Sequence, residues 1–228
     1  MTRVVALVKR AADVALVRAA AALGETTAIA VGAEGEVLPV LSAARAAGAA
    51  RVVRLWDPGL ETTDYLGVAY TLAAAVKTLG DPAATATVIL AGDRGRGVVG
   101  PAVAERLGVP LLGQVLAVAI DDGKLVAKRR GREVVRNYAA ALPALACLLV
   151  DEAATAAATP ADATPAGDVD KVESWTLSNV GLSAAELSYR KHFATRPAVG
   201  PRHQPRRFPD VAALVAQLRA EGLLRGKG

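Results

Sequence analysis

The sequence predicts an α/β protein with a doubly wound, mainly parallel sheet. Three observations predict it. Short β-branched runs alternate with longer Ala- and Leu-rich stretches through residue 113. Glycines punctuate the ends of those stretches, at Gly24, Gly48 and Gly108. One strand runs directly into a glycine-rich turn and a helix over 88–108.

In order, Val4–Val8 reads as the first strand and Ala12–Leu23 as a helix stopped by Gly24. Thr27–Val31 is a second strand, and Val37–Ala47 a second helix ended by Gly48. Arg51–Leu55 is a third strand, Asp57–Asp64 a loop and Tyr65–Leu79 a long helix of mostly small residues. Thr87–Ala91 is the fourth strand. Beyond it, Gln114–Ile120 and Leu125–Arg129 flank Asp121-Asp122-Gly123, a strong hairpin signal, and Val134–Tyr138 is placed to pair on. Leu142–Val150 is a further buried run. The hairpin is expected to extend the parallel sheet with antiparallel strands.

The most informative segment is VILAGDRGRGVVGPAVAERLGVPLLG, 88–113. Gly92–Gly100 holds four glycines, Arg94, Arg96 and Asp93. Pro101 then opens a helix that Gly108 stops. Strand, glycine-rich turn and helix N-terminus is a geometry that holds phosphate, because backbone N–H groups point outward and the helix dipole favours an anion. Arg94 and Arg96 would add charge-assisted contacts. The loop is neither GxGxxG after the first strand nor a Walker loop. A plain βα loop with solvated arginines remains the alternative.

Composition narrows the function classes. Hydrophobic residues make up 53% and aromatics 4%, so the core is built from Ala, Val and Leu. A net charge of +5 with scattered aromatics does not call for nucleic acid. Cys147, the only cysteine, lies inside LPALACLLV and reads as a small buried hydrophobe. His192 and His203 have no acidic neighbours, so neither a metal site nor a catalytic triad is expected. No nucleophile–base pair is visible. With no signal peptide and no apolar run of the ~20 residues that span a bilayer, a cytoplasmic protein is expected.

The texture changes near Asp151. The first 150 residues form the α/β nucleotide-binding-type domain, and 151–188 read as a linker or loop containing the Ala/Thr/Pro stretch 152–167. Residues 189–228 form a C-terminal arm and helix. The arm holds six Lys or Arg and no acid across 189–209. Asp210–Leu224 then reads as an amphipathic helix with Asp210 as N-cap and Val211, Leu214, Val215 and Leu218 on one face. Arm and helix suit a partner's surface, or a tail folded back on its own domain.

Taken together, the segments resemble the β subunit of electron transfer flavoproteins. VVALVKR (4–10) is similar to that subunit's first strand, and ARAAGAARVVRL (44–55) to its second helix, turn and third strand. VILAGDRGRGVVGPAVAERLGVP (88–110) is similar to its nucleotide loop and DGKLVAKRRGREVVRNYAAALPAL (122–145) to its hairpin and Leu-Pro-Ala strand. FPDVAALVAQLRAEGLL (208–224) resembles its C-terminal helix. An α subunit would continue into a flavin domain.

The resemblance implies an adenine nucleotide α hydrolase-like fold and a heterodimer with an α subunit that holds most of the FAD. It implies an AMP in this subunit, and electron flow from a dehydrogenase to an acceptor such as a quinone reductase. It places Leu7 and Val8 against the adenine, and Gly32 and Ala33 where the ligand approaches the backbone. Asp93, Arg94, Gly95, Arg96, Gly97, Val98, Val99 and Gly100 would cradle the phosphate. Arg129 would stand beside the flavin and stabilise a reduced, anionic ring. The chain departs from the family pattern in four places. The Asn-Pro-Phe stretch after the first strand is missing, the phosphate loop is shorter, 152–167 replaces the partner-recognition segment, and Gly131-Arg132-Glu133 stands where the family's hairpin has an acidic Asp-Gly-Gly. These departures mark a divergent member with a dedicated partner. Two other classes stay open: a nucleotide-binding sensor of the same fold, and a scaffold that binds no nucleotide of its own.

Overall fold

A computed structural model describes residues 2–93, 97–131, 134–149, 171–187 and 208–224. The chain divides into two units, Met1–Arg190 and Lys191–Gly228. In the first, strands β1 (Arg3–Leu7), β2 (Glu25–Val31), β3 (Arg51–Leu55) and β4 (Thr87–Asp93) alternate with helices α1 (Val14–Ala21), α2 (Glu34–Ala46), α3 (Tyr65–Thr78) and α4 (Val99–Leu107). Strands β5 (Leu111–Asp121), β6 (Lys124–Arg130), β7 (Val135–Ala141), β8 (Ala144–Leu149) and β9 (Glu173–Trp175) follow. The nine lie in one sheet, ordered β7-β6-β5-β8-β4-β1-β2-β3-β9. All pairs from β5–β8 to β3–β9 are parallel; only β5–β6 and β6–β7 are antiparallel. The architecture is the doubly wound α/β sheet with a hairpin extension.

The sheet is double-faced because its central strands are apolar on both faces. In β1, Val4 and Ala6 enter a cluster with Leu16, Val17, Val37 and Leu41 of α1 and α2. Val5 and Leu7 enter the opposite cluster with Leu72, Val76, Val103 and Ala104 of α3 and α4. The connection from β1 leads through α1 to β2 on one side, and β4 returns to β1's other side. The crossovers therefore diverge between β1 and β4, where open sheets of this kind leave a crevice at the carboxyl edge.

Several element ends differ from the sequence reading. The first helix opens with a 3-10 turn, Ala11–Asp13, and its C-cap is Ala22 rather than Gly24. Glycine at 24 answers a packing need, since a Cβ there would meet the Thr2 carbonyl oxygen at 2.4 Å. Helix α4 starts at Val99, so Pro101 is its third residue; proline is tolerated there because the N–H groups of the first turn have no intrahelical partner. Gly108 ends α4 with φ 68°, the left-handed cap that glycine accommodates. The third hairpin strand runs to Ala141, and the tight Asp122-Gly123 turn joins β5 to β6 with φ 46° and 69°.

Within the span read as a linker, 171–187 carries β9 and two 3-10 turns. Strand β9 is anchored to the edge strand β3 by more than its ladder. Arg51 donates twice to the Glu173 carboxylate, at 2.5 and 2.6 Å, and its guanidinium stands 5.3 Å from the Trp175 ring centre. No periodicity marks a three-residue strand. The Ala/Thr/Pro stretch 152–167 lies outside the described residues, as does the basic arm as far as 207. The second unit's described part is helix α5 (Val211–Ala220), capped by the Asp210 carboxylate on the Ala213 N–H at 2.8 Å. None of its residues is buried.

The hydrogen bonds from Arg51 hold the Glu173 carboxyl below its ordinary pKa. A depressed carboxylate contributes stability that is present above the unfolded value and lost as pH falls through the folded one. Both side chains are about two-fifths exposed, at 42% and 41%, so solvent screens the pair. Glu173→Gln is expected to cost about 0.5–1 kcal/mol in urea unfolding at pH 7. The difference from the unmodified chain should shrink toward zero as pH is lowered through the acid range.

Candidate functional site at the carboxyl edge

The strand ends around the β1–β4 divergence bring together much of what the sequence singled out. Leu7 closes β1 and Val8 follows it; Gly32 and Ala33 follow β2; Gly92 and Asp93 end β4; Gly97 and Val98 lead into α4. Arg94, Gly95 and Arg96 lie outside the described residues.

The structure gives these positions different work. Leu7 and Val8 are 7% and 4% exposed, and they point to opposite faces of the sheet, into the two core clusters. Their side chains leave little surface for a base. Gly32 is buried, and its N–H donates to the Leu55 carbonyl at 3.2 Å. A Cβ on it would meet Val37 Cγ1 at 2.6 Å and Glu36 Oε2 at 3.0 Å, so the space its missing side chain leaves is taken by the first turn of α2. Ala33 is the exposed N-cap of that helix.

Gly92 makes the closest approach at the divergence. A Cβ there would stand 2.8 Å from Asp13 Oδ1. The other Asp13 oxygen accepts from the Lys9 and Arg10 N–H groups at 2.8 and 2.9 Å. Asp13 thus braces the turn after β1 and stands close against the end of β4. Sequence reasoning passed over Asp13, whose only local sign is an acid at the start of a helix.

Gly100 is buried, and it serves close packing of helix on sheet. A Cβ on it would meet Cys147 Sγ at 2.6 Å and Ala91 Cβ at 3.1 Å. Cys147 is indeed buried, at 2% exposure. At its far end α4 is held to α3 by the Arg106 guanidinium, 4.0 Å from the Tyr70 ring centre.

Helix α4 differs from the other described helices in one electrostatic respect. Asp13, Asp64 and Asp210 are the N-caps of α1, α3 and α5, and α2 carries Glu34 and Glu36 in its first turn. Helix α4 has Val98 as N-cap, no side-chain cap and no acid in its first turn. Among the described residues no carboxylate lies in its cap or first turn, and the positive end of a helix dipole favours an anion.

Arg129 stands apart from this crevice, on β6, opposite Arg136 of β7 and 5.6 Å from the Tyr138 ring centre. Among the described residues no group of three or more His, Cys, Asp or Glu could hold a metal ion, and no helix is long and apolar enough to cross a membrane.

A family model for the electron transfer flavoprotein domain matches residues 5–177. The chain belongs to the electron transfer flavoprotein family. The match begins within β1 and ends two residues beyond β9, so it takes in β2 to β9 and the last three residues of β1. Proteins of this family are flavin-associated electron carriers rather than catalysts of substrate turnover. A search of curated proteins finds none that matches the chain.

Substituting Gly100→Ala is expected to push α4 off β4 and β8 and to lower stability by about 1–3 kcal/mol in chemical unfolding. Combining it with Cys147→Ala should recover part of that loss by removing the nearest clashing atom. Equal loss in the single and double variants would show that the cost does not come from the contact with Cys147.

Proposed function

We propose that this chain is the β-type subunit of a heterodimeric electron transfer flavoprotein. A partner α subunit holds most of the FAD, and this chain completes the surroundings of the flavin. The pair carries electrons from a dehydrogenase to an acceptor. The observation that carries the reading is the family match across the sheet, joined to a second unit whose helix α5 has no buried residue. A helix with Val211 at 75% and Leu214 at 36% exposure has an apolar face left for a partner.

When bound, the flavin supplies the redox chemistry, and the protein supplies position, shielding and electrostatics. The residues of this chain that serve such a role sit at the carboxyl edge. Gly92 lets Asp13 stand close against the end of β4, Asp13 braces the turn after β1, and the start of α4, which has no side-chain cap, offers its N–H groups to a phosphoryl group. The family's adenylate would place its phosphate there. Leu7, Val8 and Gly32 favour a second reading, in which the chain helps shape the partner's flavin site and binds no nucleotide of its own, because all three are already packed.

Co-expression with an α subunit, followed by a visible spectrum and nucleotide extraction, tests both. A yellow heterodimer absorbing near about 450 nm, as bound oxidised flavins do, is expected. A colourless chain that does not join an α subunit would overturn the electron-carrier reading. Released AMP would favour the nucleotide-binding form, and flavin without AMP the scaffold form. Where AMP is released, Val98→Asp should abolish its retention, because the new carboxylate would cap α4 and repel the phosphate. Replacing Leu214 and Leu218 together by Glu should weaken the heterodimer on size-exclusion chromatography and leave the thermal unfolding of the isolated chain unchanged.

A further inference from the structure

The hairpin extension carries a second site, separate from the β1–β4 crevice. A cleft of about 580 Å³ opens at the end of β6 and the start of β7, lined by Gln114, Arg129, Arg130, Arg136 and Tyr138 among others. That volume falls within the ~300–1,000 Å³ of sites for small organic ligands.

Three features make it more than a charged edge. First, Arg129 and Arg136 are directly paired across the antiparallel ladder, so their side chains leave the sheet on the same face. Like charges in that relation repel, and an anion between them removes the repulsion. Second, among the described residues the ion pairs are Arg51–Glu173 and Arg54–Glu34, so no carboxylate from those residues neutralises Arg129, Arg130 or Arg136. Third, β5 is distorted beside the cleft. Its register shifts between Leu112 and Val115 and again between Val115 and Ala117, and Gln114 takes φ 55°. Bulges of this kind re-aim side chains and gather next to binding sites. Gln114, a residue without glycine's freedom, is thereby held in a left-handed conformation on the cleft wall.

We propose that this cleft binds a phosphorylated small molecule through a diphosphate group. Guanidinium forks match phosphate oxygens in pairs, and the two of Arg129 and Arg136, on one face of the ladder, suit a group with more than one phosphoryl. Tyr138, already 5.6 Å from the Arg129 guanidinium, lines the same wall and offers a ring face to a base. Arg129 pairs with Val115, Val115 with Leu148, and Leu148 with Gly92, so the cleft lies at the carboxyl edge, with the Arg129 Cα within about 15 Å of the Gly92 Cα at ordinary strand spacing. The proposal goes beyond the flavin-carrier reading and does not require it.

Calorimetric titration of inorganic pyrophosphate into the full chain at low salt tests it. One-site saturable binding is expected, weakened about tenfold or more by Arg129→Glu and by Arg136→Glu. Added salt should weaken it further, and Lys77→Gln on α3 should leave it unchanged. Arg136→Lys, which keeps the charge and loses the fork, should fall between. Tighter binding of ADP than of pyrophosphate would put the base on Tyr138; equal affinity would make the diphosphate the whole recognised group. Absence of saturable binding, or binding that both glutamate variants leave unchanged, overturns the proposal. If either variant loses its fold, amide chemical-shift changes in the unmodified chain decide: shifts at 114, 129–131 and 134–138 support the cleft, and shifts confined to the start of α4 overturn it. The visible spectrum of the heterodimer is read independently, so failure here leaves the flavin assignment standing, and the converse holds.

Discussion

The parallel pairing of β1 with β4 is the constraint on which the rest of this molecule depends. Five consecutive pairs, from Arg3 with Thr87 to Leu7 with Ala91, lock the first strand beside a strand more than eighty residues later. Two-sided burial enforces it: Val4, Val5 and Ala6 in one strand and Val88, Ile89 and Leu90 in the other are fully buried. Strands that are apolar on both faces must be covered on both, which places α1 and α2 on one side and α3 and α4 on the other. The divergence of those helices then opens the crevice at which Asp13 and Gly92 meet.

Electrostatics divides the carboxyl edge into zones. A carboxylate caps α3, one stands at the N-cap position of α1 and two lie in the first turn of α2, whereas among the described residues none lies in the cap or first turn of α4. A second positive zone sits at the hairpin, where Arg129 and Arg136 face each other across the ladder. Both zones favour anions, by different means: one through backbone N–H groups and the helix dipole, the other through guanidinium forks. The ion pair that joins Arg51 to Glu173 plays a different part, holding the short strand β9 on the sheet's far edge.

Glycines illustrate why a sequence motif and a site are different things. Gly92, Gly32 and Gly100 all suggest close approach to a ligand when read along the chain. In the fold only Gly92 turns toward the divergence, with Asp13 above it; Gly32 accommodates the first turn of its own following helix, and Gly100 accommodates Cys147. The same absent Cβ answers a neighbour a few residues on at Gly32, and neighbours on distant segments at Gly92 and Gly100.

By itself the sequence determined the alternation of strands and helices, the fold class, the Asp122-Gly123 turn, the Gly108 and Asp210 caps, and the burial of Cys147. Each is set by local chemistry: periodicity, the freedom of glycine at positive φ, and the reach of a side chain to a nearby N–H. The likeness of its segments to electron transfer flavoproteins was legible for the same reason, since family patterns are carried by contiguous residues. Only the tertiary structure decided which residues share an edge. It joined β9 to β3, set Asp13 over Gly92, buried Leu7 and Val8 on opposite faces, and aligned Arg129 with Arg136. Those outcomes depend on strand order, register and the bulges in β5, which arise from contacts between segments far apart in the chain and leave no local periodic trace.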